Sequence, residues 1–184
     1  RDWQICASVD GTGKIGEWIR DGLDYSKWLD NFRRGCAIAT NDRQMRLDLT
    51  ITTPGLLDLK NMFRLSKQLN VEMLTKVTFA FTPDIVLSPI ALPRKLLDEI
   101  VDELLDFTVP LADSKQQSLV DVLRQLKERP VFEETWPDQY KKGWLDGKMK
   151  QERIGAIRRD YKKLTLEQIF SQDQRLLDWW DSIG

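Results

Sequence analysis

The clearest indication of the fold is the sequence Met45-Arg46-Leu47-Asp48-Leu49-Thr50-Ile51-Thr52. Apolar and polar residues alternate along it, as they do in a β-strand that buries one face. Two other stretches, one earlier and one later in the chain, alternate in the same way. The apolar sets are Trp3, Ile5, Ala7 and Val9; Met45, Leu47, Leu49 and Ile51; and Val77, Phe79 and Phe81. The polar sets are Gln4, Cys6, Ser8 and Asp10; Arg46, Asp48, Thr50 and Thr52; and Lys76, Thr78, Ala80 and Thr82.

Helical stretches separate the three predicted strands, over about residues 15–32 and about residues 56–69. The second stretch follows the break at Pro54-Gly55. Parallel strands need a crossover of roughly a dozen residues or more, whereas a hairpin needs only a short loop. The order strand, helix, strand, helix, strand therefore predicts βαβ units in a parallel sheet, and so an α/β fold.

The rest of the chain is predicted to be mainly helical. Pro93 suits the first turn of a helix whose apolar stripe runs through residues 96–105. A second helix over about residues 115–128 ends before Pro130, because proline cannot continue a helix. A polar helix begins at Pro137, and we expect it to break or loosen at its glycines, Gly143 and Gly147.

Two sequences near the end match a capping box, Thr165-x-x-Gln168 and Ser171-x-x-Gln174. Such a box marks the first turn of a helix, because the two side chains satisfy backbone N–H groups that have no partner within the helix. We expect the final helix to dock through its apolar residues, which are Leu176, Leu177, Trp180 and Ile183.

The composition is that of a globular protein of one domain or two very small ones. The 184 residues are 41% hydrophobic and 31% charged, with a net charge of -1. This balance argues against a global electrostatic partner such as duplex DNA. No apolar stretch approaches the roughly 18 residues that a membrane-spanning helix needs, so we expect no membrane association.

The chain has no histidine and only two cysteines, Cys6 and Cys36. This excludes Ser-His-Asp and Cys-His catalysis, His-ligated metals and multi-cysteine metal motifs within these residues. Two cysteines do not make a disulfide scaffold, so a reducing cytoplasm is the expected location. The N-terminus Arg1-Asp2-Trp3 has neither an initiator Met nor a signal-peptide pattern, and we expect the chain to start within a longer protein.

Residues 141–163 form a basic segment, with nine Lys or Arg residues against three acidic ones. Trp144 and Tyr161 lie within it, and charge combined with stacking aromatics can bind nucleic acid. We favour a solvated helix that balances the acidic segment at residues 98–138. Nucleic acid is therefore not the expected partner.

The polar faces of the strands allow two interpretations. In an α/β barrel they line the interior, and an interior this polar suits a ligand cavity rather than a packed core. In a two-layer fold the same residues face solvent. The motif Asp10-Gly11-Thr12-Gly13-Lys14 follows the first strand and could present N–H groups to an anion, although a plain tight turn is the favoured interpretation.

Several motifs in order resemble one known family, the radical S-adenosylmethionine (SAM) enzymes with SPASM or twitch-type extensions. Ser8-Val9-Asp10-Gly11, followed by Arg20 and then Trp28-Leu29-Asp30-Asn31-Phe32, looks like the fourth strand and its helix. Residues 47–52 resemble the fifth strand, and residues 76–81 with Val86-Leu87-Ser88-Pro89 resemble the sixth strand and its loop. Residues 158–180 resemble the ending of that group more loosely. The family's Cys-x3-Cys-x2-Cys signature is missing.

The resemblance implies the C-terminal part of a partial (β/α) TIM-like barrel with parallel strands, followed by a mainly helical C-terminal region. Residues 1–107 would be strands four to six of the radical SAM core and residues 108–184 a helical extension. The partners would be the missing N-terminal half and a small-molecule or peptide substrate. A degenerate homologue that has lost the chemistry, serving as a non-catalytic interaction or scaffold domain, is the alternative.

The resemblance also implies cofactors for the full-length protein. A 4Fe-4S cluster would hold SAM and pass it one electron, which yields methionine and a 5'-deoxyadenosyl radical that abstracts hydrogen from the substrate. This chain would supply orientation rather than reactive groups, and no residue in it would be catalytic or bind a metal. Its implied SAM contacts are Ser8 and Asp10 for the ribose and amino-acid portions, Arg20 for the carboxylate, Thr50 and Thr52 as pocket lining, and Val86 and Leu87 against adenine.

Overall fold

The computed structural model of the chain describes residues 3–80, 84–160 (of Asp160 the backbone only) and 163–183. Its strands are β1 (Ile5–Ser8), β2 (Met45–Ile51) and β3 (Glu72–Val77). Its α-helices are α1 (Gly13–Ile19), α2 (Tyr25–Ile38), α3 (Thr53–Leu56), α4 (Leu59–Leu69), α5 (Arg94–Thr108), α6 (Gln117–Glu128), α7 (Phe132–Thr135), α8 (Pro137–Asp160), α9 (Leu166–Phe170) and α10 (Gln174–Asp181). Short 3-10 helices span Ile85–Leu87 and Pro89–Ala91.

The three strands form one parallel sheet in the order β1-β2-β3. Ser8 lies opposite Asp48, and Thr50 lies opposite Lys76, so side chains with the same parity along neighbouring strands share a face. The predicted α/β fold with adjacent parallel strands is confirmed. As described, the sheet is open.

One face of the sheet is apolar and covered. Leu47, Leu49 and Ile51 of β2 are completely buried. Helix α2 packs on this face so closely that a Cβ added at Gly35 would lie 2.6 Å from Met45 Cε. The buried side chains of α4 belong to the same core cluster. Both crossovers therefore cover the apolar face at β2 and leave the polar face to the other side, whereas Ile5 of β1, predicted on the apolar face, is 48% exposed.

The third strand lies earlier in the chain than its alternation predicts. Pairing with β2 covers Glu72–Val77, and the last contact is the Thr78 N–H, which donates to the Ile51 carbonyl at 2.9 Å. Because β2 ends at Ile51, residues beyond Thr78 have no strand to pair with. Phe79 is accordingly exposed, with the Arg129 guanidinium 3.8 Å from its ring centre. The predicted strand residues Phe81 and Thr82 lie outside the described residues.

The helices also differ from the predicted ones at their breaks. Gly22, with φ of +85°, separates α1 from α2 in the stretch predicted as one helix, and α3 ends before α4 begins in the other. The predicted break at Gly143 and Gly147 is wrong. Both glycines are buried within a continuous α8, so packing offsets the roughly 1 kcal/mol that each costs in helix propensity.

One of the two predicted capping boxes forms. The Thr165 hydroxyl accepts from the Gln168 N–H, and the Gln168 side chain accepts from the Thr165 N–H. Ser171 instead lies at the C-terminal end of α9. Asp173 caps α10, because its side chain accepts the Arg175 N–H, which has no partner within the helix. The apolar docking residues of the final helix are buried apart from Leu177, which is half-buried.

The two edges of the sheet differ. The outer edge of β3 is covered by the segment that leads into α6 and by the first turn of α6, since the Met73 N–H donates to the Lys115 carbonyl at 2.8 Å and the Thr75 N–H to Ser118 Oγ at 3.0 Å. The outer edge of β1 carries the backbone groups of Cys6 and Ser8, which have no strand partner in the described part of the chain. The division into a barrel part and an extension at residue 107 stays a prediction.

The last helices reach the segments that follow all three strands. Helix α8 packs against Ile85–Leu87 beyond β3, and α9 packs against α3 beyond β2. Arg158 of α8 lies over the ring of Trp18 in α1, beyond β1. The carboxyl ends of the strands are therefore framed by the C-terminal helices. Over the described ranges, no helix is both long and apolar enough to cross a bilayer.

Candidate functional site

Three of the predicted site residues meet where β1 and β2 end. Asp10 is buried, and its Oδ1 accepts the Thr50 N–H at 2.8 Å. Its Oδ2 lies 2.8 Å from Arg20 Nε. Both carboxylate oxygens therefore have partners within the chain, and Asp10 fixes the positions of Arg20 and of the β2 backbone.

Arg20 is the group of this cluster that can reach a ligand. Its side chain is 38% exposed, and its two terminal amino groups have no partner among the residues the structure describes. The contact of Arg20 Nε with Asp10 is an ion pair and not an aligned hydrogen bond, and the planar guanidinium presents its two terminal amino groups side by side. That geometry suits a carboxylate or a phosphate.

Thr52 and Gly55 pack tightly next to Asp10 in this cluster. The Thr52 hydroxyl accepts the Gly55 N–H at 3.1 Å and begins α3. A Cβ at position 55 would lie 2.9 Å from that hydroxyl and 3.1 Å from the Asp10 carbonyl oxygen. Thr52 is thus buried, and its hydroxyl already has a hydrogen-bond partner within the chain, whereas Thr50 is half-buried on the polar face.

Ser8 belongs to a row of polar side chains that crosses all three strands. Its hydroxyl donates to Asp48 Oδ2 at 3.2 Å, and Lys76 Nζ lies 3.1 Å from both oxygens of Asp48. A second row lies nearer the start of the strands, where Arg46 Nε is 2.8 Å from Glu72 Oε2. Each row pairs its charges, so the face offers donors and acceptors without a large net charge.

Sequence reasoning missed Asp58, which fixes the turn after β1. Its carboxylate is buried, accepts both the Thr12 N–H and the Thr12 hydroxyl, and receives Asn61 Nδ2 at 2.7 Å. The glycine-rich turn is therefore bound by an anion of the chain itself, which agrees with the favoured tight-turn interpretation. The pattern over residues 56–69 predicts one helix and so gives no special position to Asp58, whereas Asp58 stands in the gap between α3 and α4.

The two predicted adenine contacts lie in different environments. Val86 is completely buried in the hydrophobic core, and Leu87 is half-buried. Both belong to the 3-10 helix that follows β3 and packs against α8 and α3. As the chain is folded, Leu87 is the one of the two with exposed surface.

The cysteines do not form a cluster site in this chain. Cys6 is exposed on the polar face, and Cys36 lies on α2, where burial raises the pKa of its thiol and so disfavours the thiolate that binds metals. The described residues contain no group of three or more His, Cys, Asp or Glu side chains that could hold a metal ion. A Cys-ligated 4Fe-4S cluster therefore does not fit these residues.

Searches for similar proteins gave no significant match: no family model, no curated protein and no solved structure matches the chain.

Proposed function

We propose that this chain supplies the SAM and substrate contacts of a radical SAM enzyme, as the part of a (β/α) barrel that contains strands four to six. It would be inactive alone, because the 4Fe-4S cluster must be bound by residues elsewhere. SAM bound to such a cluster supplies the radical. The residues of this chain would bind and orient SAM and the substrate.

The proposal rests mainly on the arrangement of the sheet. Three parallel strands follow one another in chain order, both crossovers cover the apolar face of β2, and the opposite face carries polar rows. A sector of a (β/α) barrel has this construction, and ligands of such barrels bind at the carboxyl ends of the strands. Arg20, Asp10 and Thr50 meet at that end.

Each residue of the cluster then has a defined role in the proposal. The terminal amino groups of Arg20 would bind the SAM carboxylate, and Asp10 would hold Arg20 in place through the 2.8 Å contact with its Nε. Ser8 and Thr50 would offer hydroxyl groups to the ribose or the substrate from the polar face. Leu87 would cover the adenine, with Val86 supporting it from the core.

The open edge of β1 is where the rest of a barrel would join. Cys6 and Ser8 present free backbone groups there, whereas the β3 edge is already covered by residues 115–118. An unpaired edge strand readily accepts a further strand. The N-terminal half would pair with β1 and bring the cluster ligands to the same end of the strands.

The test is anaerobic reconstitution of the protein extended through the coding sequence upstream of Arg1, with iron, sulfide and SAM. We expect iron–sulfur absorbance and the release of 5'-deoxyadenosine. A colourless protein that releases none would instead support the non-catalytic interaction or scaffold domain.

Variants of the extended protein then test the SAM contact. Arg20→Gln and Arg20→Lys should each raise the KM for SAM by about tenfold or more, because neither keeps the paired terminal amino groups. Arg34→Gln is the matched control, since Arg34 is exposed on α2. A KM unchanged in both Arg20 variants would contradict the assigned role.

A further inference from the structure

A cavity of about 520 Å³ lies between the turn that joins α1 to α2 and the carboxyl-terminal end of α8. Its volume falls within the range of small-molecule sites, roughly 300–1,000 Å³. It has both apolar and charged walls. The residues that line it include Lys14, Glu17, Trp18, Leu23, Arg158 and Lys163.

Arg158 is the unusual group in this cavity. Its guanidinium lies over the Trp18 ring, 4.7 Å from the ring centre, and its Nη2 donates to the Trp18 carbonyl at 3.1 Å. Among the described residues, no carboxylate lies within ion-pair distance of it. The residue is half-buried, and burial lowers its pKa more than the nearby charge of Asp21 raises it.

Trp18, which Arg158 contacts, has a buried polar atom without a partner. Its side chain is 7% exposed, and its indole Nε1 is buried with no hydrogen-bond partner in the part of the chain that the structure describes. Buried donors nearly always have a partner in folded proteins. Trp18 lines the cavity, but its Nε1 lies beneath the surface, so Arg158 is the group that can reach a ligand there.

The acidic groups nearby are already engaged. Glu17 binds Lys14 at 2.9 Å and accepts the Tyr25 N–H, while Asp24 caps α2 by accepting the Lys27 N–H. At the rim, Lys163 lies 2.8 Å from Asp21, which Arg158 does not contact within ion-pair distance. Asp21 therefore acts on Arg158 only at longer range, and in the described part of the chain the Arg158 guanidinium has no direct ion pair.

We infer that this cavity binds a small molecule that joins an anionic group, a carboxylate or a phosphate, to an apolar ring. The anion would lie on the Arg158 guanidinium, with Lys14 and Lys163 at the rim, and the ring would pack on Trp18 and Leu23. None of these residues belongs to the Arg20, Asp10 and Thr50 cluster. The site therefore goes beyond the proposed SAM role and is tested separately.

The experiment follows the indole N–H signals of the 15N-labelled chain by NMR during titration with benzoate, phenyl phosphate and the neutral isostere benzamide. The Trp18 signal is assigned with a Trp18→Phe variant, and the other six tryptophans report on the fold. We expect saturable shifts of the Trp18 signal with one or both anions, at least tenfold weaker binding of benzamide, and weaker anion binding as salt is added. Equal affinity for benzamide, or no Trp18 shift with either anion, would overturn the inference.

Two arginine variants on the same helix complete the test. Arg158→Gln should weaken benzoate and phenyl phosphate at least tenfold, whereas Arg159→Gln, at an exposed position outside this cavity, should bind as the unaltered chain does. Unchanged binding by Arg158→Gln overturns the inference. Should Arg158→Gln disturb the other indole signals, the comparison of benzoate with benzamide on the unaltered chain decides alone.

Discussion

Gly16 shows how closely single residues fit around the turn that follows β1. A Cβ added at this helical position would lie 2.1 Å from the Gly11 carbonyl oxygen. We expect Gly16→Ala to lower the free energy of unfolding by about 2 kcal/mol or more, because the backbone of the turn would have to move. Urea denaturation of the purified variant measures the change.

Gly155→Ala is the matched control, since Gly155 also lies in a helix and is also buried. Its added Cβ would meet Thr165 at an ordinary 3.5 Å. We expect this variant to be up to about 1 kcal/mol more stable, because alanine favours the helix. Equal effects of the two substitutions would show that the close contact at Gly16 has no energetic weight.

The sequence could predict the positions of residues that lie on strands, but not the positions of residues that depend on where a helix begins. The alternation of β2 correctly placed Thr50 on the polar face and Leu49 in the core. Asp58 could not be found in this way. It contacts Thr12 across 46 residues of sequence, and no local pattern reports such a contact.

Among the elements, α8 is joined to the segment after β3 by Tyr140. The Tyr140 hydroxyl is buried and donates to the Ala91 carbonyl at 2.7 Å. We expect Tyr140→Phe to cost about 1 kcal/mol of unfolding free energy at pH 7, because the Ala91 carbonyl loses its partner. Denaturant titrations of both proteins measure this difference.

The unaltered chain and the Tyr140→Phe variant also test a pH dependence. Burial raises the pKa of Tyr140 in the folded chain above its ordinary value near 10. Its contribution to stability is therefore present below about pH 10 and is lost as the pH rises toward the folded pKa. The unaltered chain should lose more stability than Tyr140→Phe between pH 7 and about pH 11. Parallel losses would contradict the prediction.

The bounds of elements were harder to predict than their existence. Regular alternation over residues 76–82 suggested a strand, yet the length of β2 decides where β3 can pair, and pairing partners are remote in sequence. Glycines suggested breaks in α8, but its burial against other elements outweighs helix propensity. Gly22 does separate two helices, because its positive φ turns the chain.

For the whole molecule, the unequal edges of the sheet predict a gradient of amide hydrogen exchange. Leu47 and Leu49 lie in the central strand and are completely buried, so their amides should exchange slowest. The amides of Cys6 and Ser8, on the open edge of β1, should exchange fastest among the strand residues. NMR-detected exchange in D2O measures each of them.

The same exchange measurement on the protein extended upstream of Arg1 gives the comparison with the chain alone. There the Cys6 and Ser8 amides should become protected while Leu49 changes little. Protection of Cys6 and Ser8 equal to that of Leu49 in the chain alone would mean that the β1 edge is already covered.

The contact of Arg158 with Trp18 also bears on how the protein is made. The two residues are 140 positions apart, and Lys163 reaches Asp21 across 142. A ribosome synthesises α1 long before it synthesises the partners that cover Trp18. The unit of β1 and α1 must therefore wait, with an aromatic side chain uncovered, until α8 has been synthesised, and a product truncated before Arg158 would keep that surface exposed to chaperones and proteases.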